Sequence, residues 1–196
     1  GYTCNNEKKS EEFTQVIVAT GSTPATSKLG LDNTGVNVSP GGYISVDESM
    51  KTTDPSIFAV GGVTSKEMVS AAAARQGVVA SEVIAREPGA FDVQAIPYTL
   101  FTKPTVSWCG INEKQAKKLS ILTQTQLKTW TNLPERQFAA TSEGLTKIVT
   151  AAGDGRILGA TIIGEGSSDL ISKYVVAIEM GACIEDLSLI VDEYSL

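Results

Sequence analysis

The sequence predicts an α/β segment followed by an α+β segment, and three patterns support this prediction. First, residues 15–19 (QVIVA) form a β-branched run that leads to a glycine, as a buried strand that delivers a turn does. Second, residues 66–86 are mostly good helix formers with apolar residues at helical spacing. Third, two strand patterns after residue 89 flank a glycine-rich hairpin and precede an amphipathic helix. Each half is therefore expected to combine sheet and helix.

Short strands are predicted between the first run and the long helix. They cover residues 43–46 and 57–60, with a turn at Asp54–Pro55 between them. The helix contains Gly77, and a helical glycine costs about 1 kcal/mol relative to alanine. We therefore expect a close backbone approach at Gly77 that compensates for this cost.

Pro88–Gly89 marks the expected domain boundary, because it is the one strong breaker pair between two patterned regions. Beyond it, Asn112 is expected to cap a helix that runs through Lys118. Gln115 stands at the third position of that helix and can close a capping box.

A hairpin and two helices are expected at the end of the chain. Strands at residues 145–150 and 156–164 are separated by a glycine-rich turn. Ser167 is the expected N-cap of the next helix and Gly181 its stop. The apolar face of that helix consists of Leu170, Ile171, Tyr174, Val175 and Ile178. A short helix from about residue 184 completes the α+β unit.

The composition excludes several classes of protein. Hydrophobic residues make up 42% and charged residues 19% of the 196 residues, which is typical of a soluble globular protein. The net charge of -6 opposes binding to nucleic-acid phosphates. No run reaches the roughly 20 apolar residues that a membrane span needs. Cys4, Cys109 and Cys183 are too widely spaced for a disulfide framework or a zinc site. We therefore expect no metal and a reducing, cytoplasmic setting.

A further pattern is carried by segments that follow one another along the chain. They are residues 16–36 (VIVATGSTPATSKLGLDNTGV), 42–47 (GYISVD) with 56–61 (SIFAVG), 95–104 (AIPYTLFTKP), and 155–160 (GRILGA) with 177–182 (AIEMGA). In this order and spacing they resemble the two-domain pyridine nucleotide-disulfide oxidoreductases, which include dihydrolipoamide dehydrogenase and mercuric reductase. The resemblance covers about residues 16–191.

The resemblance implies a division of the chain and a set of cofactors. Residues 1–14 are then the remnant of a nicotinamide domain, residues 15–88 the end of a Rossmann-like FAD-binding domain, and residues 89–196 an α+β interface domain that forms a homodimer. The intact protein would use FAD and NAD(P)H. In such enzymes the nicotinamide passes hydride to the flavin, and the flavin reduces a cysteine pair that attacks the substrate. The chain would accordingly need a missing N-terminal FAD/NAD portion as its partner.

The same resemblance implies which residues contact the flavin. They are Thr20, Gly21, Gly61, Gly62, Met68, Val69 and Ser70. The last three match the start of the long helix, where backbone N–H groups suit the negative charge of a reduced flavin. At Gly62 the family normally has an aspartate, whose carboxylate holds a hydroxyl of the ribityl chain. Loss of that bond costs roughly 1.5 to 3 kcal/mol if nothing replaces it, which predicts that this chain binds flavin weakly or not at all.

Three parts of such an enzyme are absent from the sequence, namely GxGxxG, a Cys-x4-Cys pair and any histidine. The chain by itself is therefore expected to be inactive, and its start without Met suggests a piece of a longer protein. Aligned without gaps from residues 185–187, Tyr194 falls at the position of the family's catalytic histidine. Mercuric reductases resemble this pattern by having a tyrosine there. A phenol with a pKa of about 10 is a poor base at neutral pH, but it can donate a hydrogen bond to a bound thiolate.

Two hypotheses follow from the sequence. The first is an enzyme part that supplies flavin-contacting backbone and a dimer interface. The second is a non-catalytic dimerisation or binding module that is degenerate from the family, which Gly62 favours. The substrate is left open among lipoamide, another disulfide and mercuric ion. NADH and NADPH are not distinguished either, because the segment that reads the ribose lies outside the sequence.

Overall fold

The computed structural model describes residues 1–66, 69–130 and 144–190. The strands are β1 Tyr2–Cys4, β2 Glu7–Lys9, β3 Tyr98–Leu100, β4 Val106–Gly110, β5 Thr123–Trp130, β6 Gly144–Ala151 and β7 Ile157–Ile163. The α-helices are α1 Ser70–Ile84, α2 Glu113–Lys118, α3 Ser167–Glu179 and α4 Ile184–Leu187. Short 3-10 helices cover Leu31–Asn33 and Gly61–Val63. β1 and β2 pair with each other as a small exposed hairpin.

The second half of the chain is built on a five-stranded antiparallel sheet. Its strand order is β3-β4-β7-β6-β5, and every neighbouring pair is antiparallel. β6 and β7 confirm the hairpin that the sequence predicted at residues 145–150 and 156–164. α3 packs across β4 and β7 on one face of the sheet. The α+β architecture predicted for this half is therefore confirmed.

α3 buries the apolar face that its sequence predicted. Ile171 and Tyr174 are each 1% exposed, and they form the main core with Cys109, Ala160 and Ile162 from the sheet. The remaining predicted members, which pack against this core while partly buried, are Leu170, Val175 and Ile178. The helix therefore fixes one side of the sheet.

The predicted cap of α2 is confirmed, whereas that of α3 is wrong by one residue. The Asn112 Oδ1 atom accepts from the Gln115 N–H at 2.9 Å, and the Gln115 Oε1 atom accepts from the Asn112 N–H at 2.8 Å. Ser167 is the first residue of α3, and Gly166 is its N-cap. The reason is that the buried Ser167 hydroxyl accepts a hydrogen bond from the Ser107 Oγ atom at 3.1 Å and does not cap the helix.

α3 ends at a glycine, as predicted. Gly181 has a φ of 65°, and its N–H donates to the Ile178 carbonyl at 3.0 Å. The Ala182 N–H donates to the Ala177 carbonyl at 2.9 Å. These two bonds form a Schellman motif, which satisfies the last carbonyls of the helix. The short helix α4 then follows at the expected place.

The strand predicted at residues 15–19 is not formed. Val16, Ile17 and Val18 belong to no strand and are 78%, 88% and 81% exposed, respectively. A strand needs a neighbour that satisfies its N–H and C=O groups. Among the described residues, no strand pairs with this run. Within the part of the chain that the structure describes, the β-branched run is therefore left unpaired.

Isolated bridges replace the other two strands predicted in the first half. The bridged pairs are Val38–Ile44, Val46–Thr52 and Lys51–Phe58. The predicted turn at Asp54–Pro55 is confirmed, because the Ile57 N–H donates to the Asp54 carbonyl at 3.0 Å. Two small clusters of buried side chains, one around Ile44 and one around Val79, hold this segment together.

α1 confirms the long predicted helix, although it covers Ser70–Ile84 and not residues 66–86. The expected close approach at Gly77 is wrong, since a Cβ atom placed there would meet no atom within 4 Å. This glycine is a tolerated helix residue. Neither α1 nor any other helix among the described residues has the length and apolar character that a membrane crossing requires.

One carboxylate links the segment before the sheet to α3. The Glu179 Oε1 atom accepts from the Gln94 N–H at 2.8 Å and from the Ala95 N–H at 3.0 Å. Phe91 lies four residues before Ala95, and its N–H donates to the Glu48 carbonyl at 2.8 Å. Phe91 is therefore tied to the first half. Residues 91–95 therefore connect the first half of the chain to α3 in the second half.

Candidate functional site

A cleft at the N-terminus of α1 brings several predicted site residues together. Its volume is about 260 Å³. It is lined by Gly61, Gly62, Ser65, Val69, Ser70, Ala72, Ala73 and Gln76. Four of the predicted residues, Gly61, Gly62, Val69 and Ser70, thus line one cleft, and every lining side chain is uncharged at neutral pH. Met68, the other predicted residue of this group, lies outside the described residues.

One wall of the cleft is the 3-10 turn Gly61–Val63, which only a glycine can begin without strain. Gly61 has a φ of 77°, in the left-handed region that disfavours any residue with a side chain. A Cβ atom at Gly61 would also lie 3.3 Å from the Ala73 Cβ atom of α1. The turn can therefore lie close against the helix, and the cleft is formed between them.

Hydrogen bonds fix this turn from several sides. The Gly61 N–H donates to the Gln76 Oε1 atom at 2.7 Å. The Gly61 carbonyl accepts from both the backbone N–H and the hydroxyl of Thr64, each at 2.9 Å. The Val63 carbonyl accepts from the Ile44 N–H at 2.8 Å. The turn is therefore held by the helix, by its own end and by the segment around Ile44.

The opposite wall is the first turn of α1, which offers backbone donors. Val69 is the N-cap, with a φ of -111° and a ψ of 121°, and no side chain among the described residues caps the helix. The intrahelical bonds begin with the Ala73 N–H, which donates to the Val69 carbonyl at 3.0 Å. The N–H groups before it have no partner within the helix and carry its positive end. Such an end suits an anion or a carbonyl oxygen.

Gln76 was missed by the sequence analysis although it is the polar anchor of the cleft. It is 8% exposed. It lies on one stripe of α1 that is formed, at helical spacing, by Ala73, Gln76, Val79 and Ala80. Within this stripe Val79 is fully buried, at 0% exposed. A glutamine within such an apolar stripe is the signal that could have found it, because a buried carboxamide needs hydrogen-bond partners.

Two predicted residues are not brought to this cleft. Thr20 and Gly21 are both exposed, and neither lines the cleft. Gly21 has a φ of 66°, as expected for a turn. Shortly after it, the chain is anchored by the Thr26 hydroxyl, which donates to the Gly42 carbonyl at 2.7 Å. The predicted flavin contact at residues 20–21 is therefore still a prediction.

The surroundings of both cysteines in the second half disfavour the thiolate. Burial raises the pKa of the Cys109 thiol to about 12. The pKa of Cys183 is also raised, first by desolvation and then by the nearby carboxylates of Asp186 and Asp154. Both thiols are therefore protonated at neutral pH, and a thiol attacks only as thiolate. Among the described residues no cluster of potential metal ligands occurs. Tyr194, the predicted catalytic residue, lies outside the described residues.

Two family models match the chain. Residues 2–77 match the model described as pyridine nucleotide-disulphide oxidoreductase. Residues 96–192 match the dimerisation domain of the same family. The two models thus match residues in both halves of the fold, and residues 78–95 lie between the two matches.

Curated relatives agree with these matches. Dihydrolipoyl dehydrogenase of Buchnera aphidicola is 34% identical over 186 residues, which are 94% of this chain and 39% of the relative. The enzyme of Haemophilus influenzae is 33% identical, and the alignment covers 96% of this chain and 39% of that relative. That of Geobacillus stearothermophilus is 35% identical and is covered by 40%, again with 96% of this chain aligned. The chain thus spans about two fifths of the length of these relatives.

Solved structures share the fold. LpdA from Mycobacterium tuberculosis superposes with a TM-score of 0.79 at 24% identity, covering 90% of this chain and 39% of that protein. The HOCl-induced flavoprotein disulfide reductase RclA from Escherichia coli gives a TM-score of 0.78 at 24% identity, covering 89% of this chain and 40% of that protein. With the fold, the two family models and the relatives in agreement, the chain belongs to the pyridine nucleotide-disulphide oxidoreductase family.

Proposed function

We propose that this chain is the part of an FAD- and NAD(P)H-dependent disulfide oxidoreductase, of the dihydrolipoyl dehydrogenase type, that supplies flavin-contacting backbone and a dimer interface. The observation that carries the proposal is the cleft in which Gly61, Gly62, Val69 and Ser70 meet at the N-terminus of α1. We divide the chain as its resemblance implied: residues 1–14 from a nicotinamide domain, residues 15–88 from the FAD domain and residues 89–196 as the interface domain.

The residues of the cleft fit the polar edge of a flavin ring. A bound FAD would supply the hydride and electron chemistry of the reaction. The chain's own contribution is the row of N–H groups at the start of α1, which have no partner within the helix. They would donate hydrogen bonds to the carbonyl oxygens at the edge of the ring and favour the negative charge that builds on the reduced ring. Gly61 leaves the turn free of a side chain that would push it away from α1.

The fit is weaker for the ribityl chain of FAD. The lining residues include no carboxylate, and Gly62 stands where the family normally has an aspartate. A flavin hydroxyl is left without the charge-assisted partner that such a carboxylate gives, so we expect weaker binding than in relatives that have it. The same feature supports the second candidate function, a dimerisation module that binds no flavin.

The dimer is proposed on the outer side of α3. The inner side of this helix is buried in the chain's own core, but Val176 is 61% exposed and Met180 is 79% exposed on its outer side. The two positions are four residues apart, so their apolar side chains are neighbours on one face, and neighbouring exposed apolar side chains are typical of a surface that another protein covers. We propose that a second copy of the protein covers them across a two-fold axis.

Substrate and partner residues are also proposals. Dihydrolipoamide is favoured because the curated relatives are dihydrolipoyl dehydrogenases. We propose that Tyr194 donates a hydrogen bond near the substrate thiols, where the family has a histidine. We also propose a cytoplasmic setting, because the chain's three cysteines are too widely spaced for a disulfide framework. The redox cysteine pair and both nucleotide loops would come from the remainder of the protein.

The proposal is tested on the full-length protein that carries this chain. Purified protein is expected to show bound flavin in its absorbance spectrum and to oxidise dihydrolipoamide with NAD+ or NADP+. Glutathione disulfide and mercuric ion, each with NADH or NADPH, serve as the competing substrates. A colourless dimer that binds no added FAD would favour the non-catalytic module. Flavoprotein that turns over only mercuric ion would contradict the dihydrolipoyl dehydrogenase assignment.

The interface has its own test. Met180→Glu places a charge on the outer face of α3 and is expected to shift the full-length protein from dimer to monomer in sedimentation. Leu119→Glu is the matched control, because Leu119 is 62% exposed at the end of α2, away from α3. Dissociation by the control alone, or by neither variant, would place the interface elsewhere.

A further inference from the structure

We propose that Gln76 is a positioning residue for the flavin cleft, acting through the backbone of Gly61. This inference rests on the proposed function and names the side chain that shapes its site. Gln76 lies in the second turn of α1 and is 8% exposed, and its Oε1 atom accepts from the Gly61 N–H at 2.7 Å. Its side chain therefore bridges the two walls of the cleft.

The turn and the helix are separate elements that must be held together. The Thr64 bonds close the turn on itself, and the Ile44 bond ties it to the segment on its far side. Only the Gln76 bond, among those described, joins the turn directly to α1 by a hydrogen bond. The width of the cleft between them therefore depends on this carboxamide.

The geometry leaves Gly61 little freedom once the bond to Gln76 is made. Gly61 already approaches α1 so closely that a Cβ atom would lie 3.3 Å from that of Ala73. Ala73 precedes Gln76 by one helical turn on the same stripe, so the contact and the hydrogen bond act on the same residue from neighbouring positions. Together they fix Gly61 in its left-handed conformation and place Gly62 in the wall of the cleft.

Loss of the acceptor leaves a part-buried N–H group unsatisfied, and the turn can regain a partner for it by moving toward water. Such a shift would change the position of Gly62 relative to the N–H groups of α1. A ligand that touches both walls binds less tightly when their spacing is not preorganised. The effect on flavin affinity should therefore exceed the effect on any part of the fold remote from the cleft.

The test compares variants of the full-length protein, each prepared without flavin and titrated with FAD while flavin fluorescence is followed. Gln76→Met keeps the side chain's length but removes the acceptor, and we expect FAD to bind about tenfold more weakly, as loss of one part-buried hydrogen bond predicts. Gln76→Glu restores an acceptor oxygen and should return the affinity to within about threefold of the wild type. Rescue of this kind would not follow from loss of packing alone.

Val79→Ala is the matched control for general destabilisation. Val79 is fully buried one turn further along the same stripe, and it does not line the cleft. Thermal unfolding should show a loss of stability at least as large as that of Gln76→Met, with FAD affinity unchanged. As a flavin-free readout, the Gly61 amide is expected to exchange slowly in the wild type and fast in Gln76→Met.

The failures can be told apart. A wild-type protein that binds no FAD overturns the proposed function, and this inference with it. A wild type that binds FAD, together with a Gln76→Met variant of equal affinity and an unchanged Gly61 exchange rate, overturns the positioning role alone. Equal weakening by Val79→Ala overturns it as well, because the effect would then come from the helix as a whole.

Discussion

The two halves of this chain differ in how far they form their own cores. The second half buries one cluster of seven residues between its sheet and α3. The first half has two clusters of three residues each, and its most β-branched run is exposed. In the antiparallel sheet every strand finds a neighbour within the same half, whereas a parallel strand needs neighbours brought by crossovers that are distant in sequence. Whether a strand pattern forms a paired strand thus depends on how close along the sequence its pairing strands lie.

Trp130→Ala should cause the largest loss in the free energy of unfolding, because it removes a core side chain of the second half. The side chain is 1% exposed, and its Nε1 atom donates to the Thr146 Oγ1 atom at 2.9 Å. Truncation of a buried tryptophan costs about 3–5 kcal/mol through lost burial and the cavity left behind. Urea denaturation followed by far-UV circular dichroism measures the loss. A change below about 1 kcal/mol would show that this core does not carry the stability of the second half.

Gly61→Ala tests the first half at its cleft. A left-handed φ costs a residue with a side chain roughly 1–2 kcal/mol, and the new methyl group would press on Ala73. The expected result is a lower melting temperature together with weaker FAD binding by the full-length protein. Gly77→Ala is the control, because that position is open and helical; it should stabilise α1 slightly. Equal effects from both variants would contradict the described turn.

Glu179→Ala sharpens the comparison at the link between the halves. It removes the acceptor for the Gln94 and Ala95 N–H groups. Because the carboxylate is exposed, we expect the free energy of unfolding to fall by about 1 kcal/mol. Limited proteolysis should show faster cleavage near residues 91–95, with the core of the second half left intact. Unchanged cleavage would mean that other contacts hold this link.

The smallest effect is expected from the surface pair Glu113–Lys147, which joins α2 to β6 at 2.9 Å. The Lys147 ammonium, followed by the helix backbone, lowers the pKa of Glu113. A carboxyl whose pKa is lower in the folded state stabilises the fold above its unfolded pKa, near 4.3, and loses this contribution as the pH falls through the folded value. Glu113→Gln should lower the free energy of unfolding by less than about 1 kcal/mol at neutral pH. The difference from wild type should vanish in acid, as denaturation midpoints at both pH values would show.

Much of the second half could be predicted from the sequence because its signals are local. The capping box at Asn112, the hairpin of β6 and β7 and the glycine stop of α3 each depend on residues that are neighbours along the chain. β5 was missed because its side chains are mostly polar and exposed until Trp130, so it carries no apolar alternation. β3 is too short to give a period.

The candidate site was predictable only in part. Its glycines and helix start stand out in the sequence, and the fold brings four of the predicted residues together. Gln76 was missed because helix-former composition hides a single buried carboxamide until the face of α1 is known. The strand at residues 15–19 fails for a different reason: its pattern is that of a buried strand, but the strands that would pair with it are not among the described residues.

Hydrogen exchange of residues 16–18, compared between this chain alone and the full-length protein, tests the contrast between the halves most directly. In this chain alone we expect these amides to exchange at nearly the unprotected rate, while the amides of β6 and β7 exchange only through global unfolding. In the full-length protein residues 16–18 should become as protected as β7, because partner strands then satisfy them. Equal protection of residues 16–18 and β7 in the isolated chain would contradict the account.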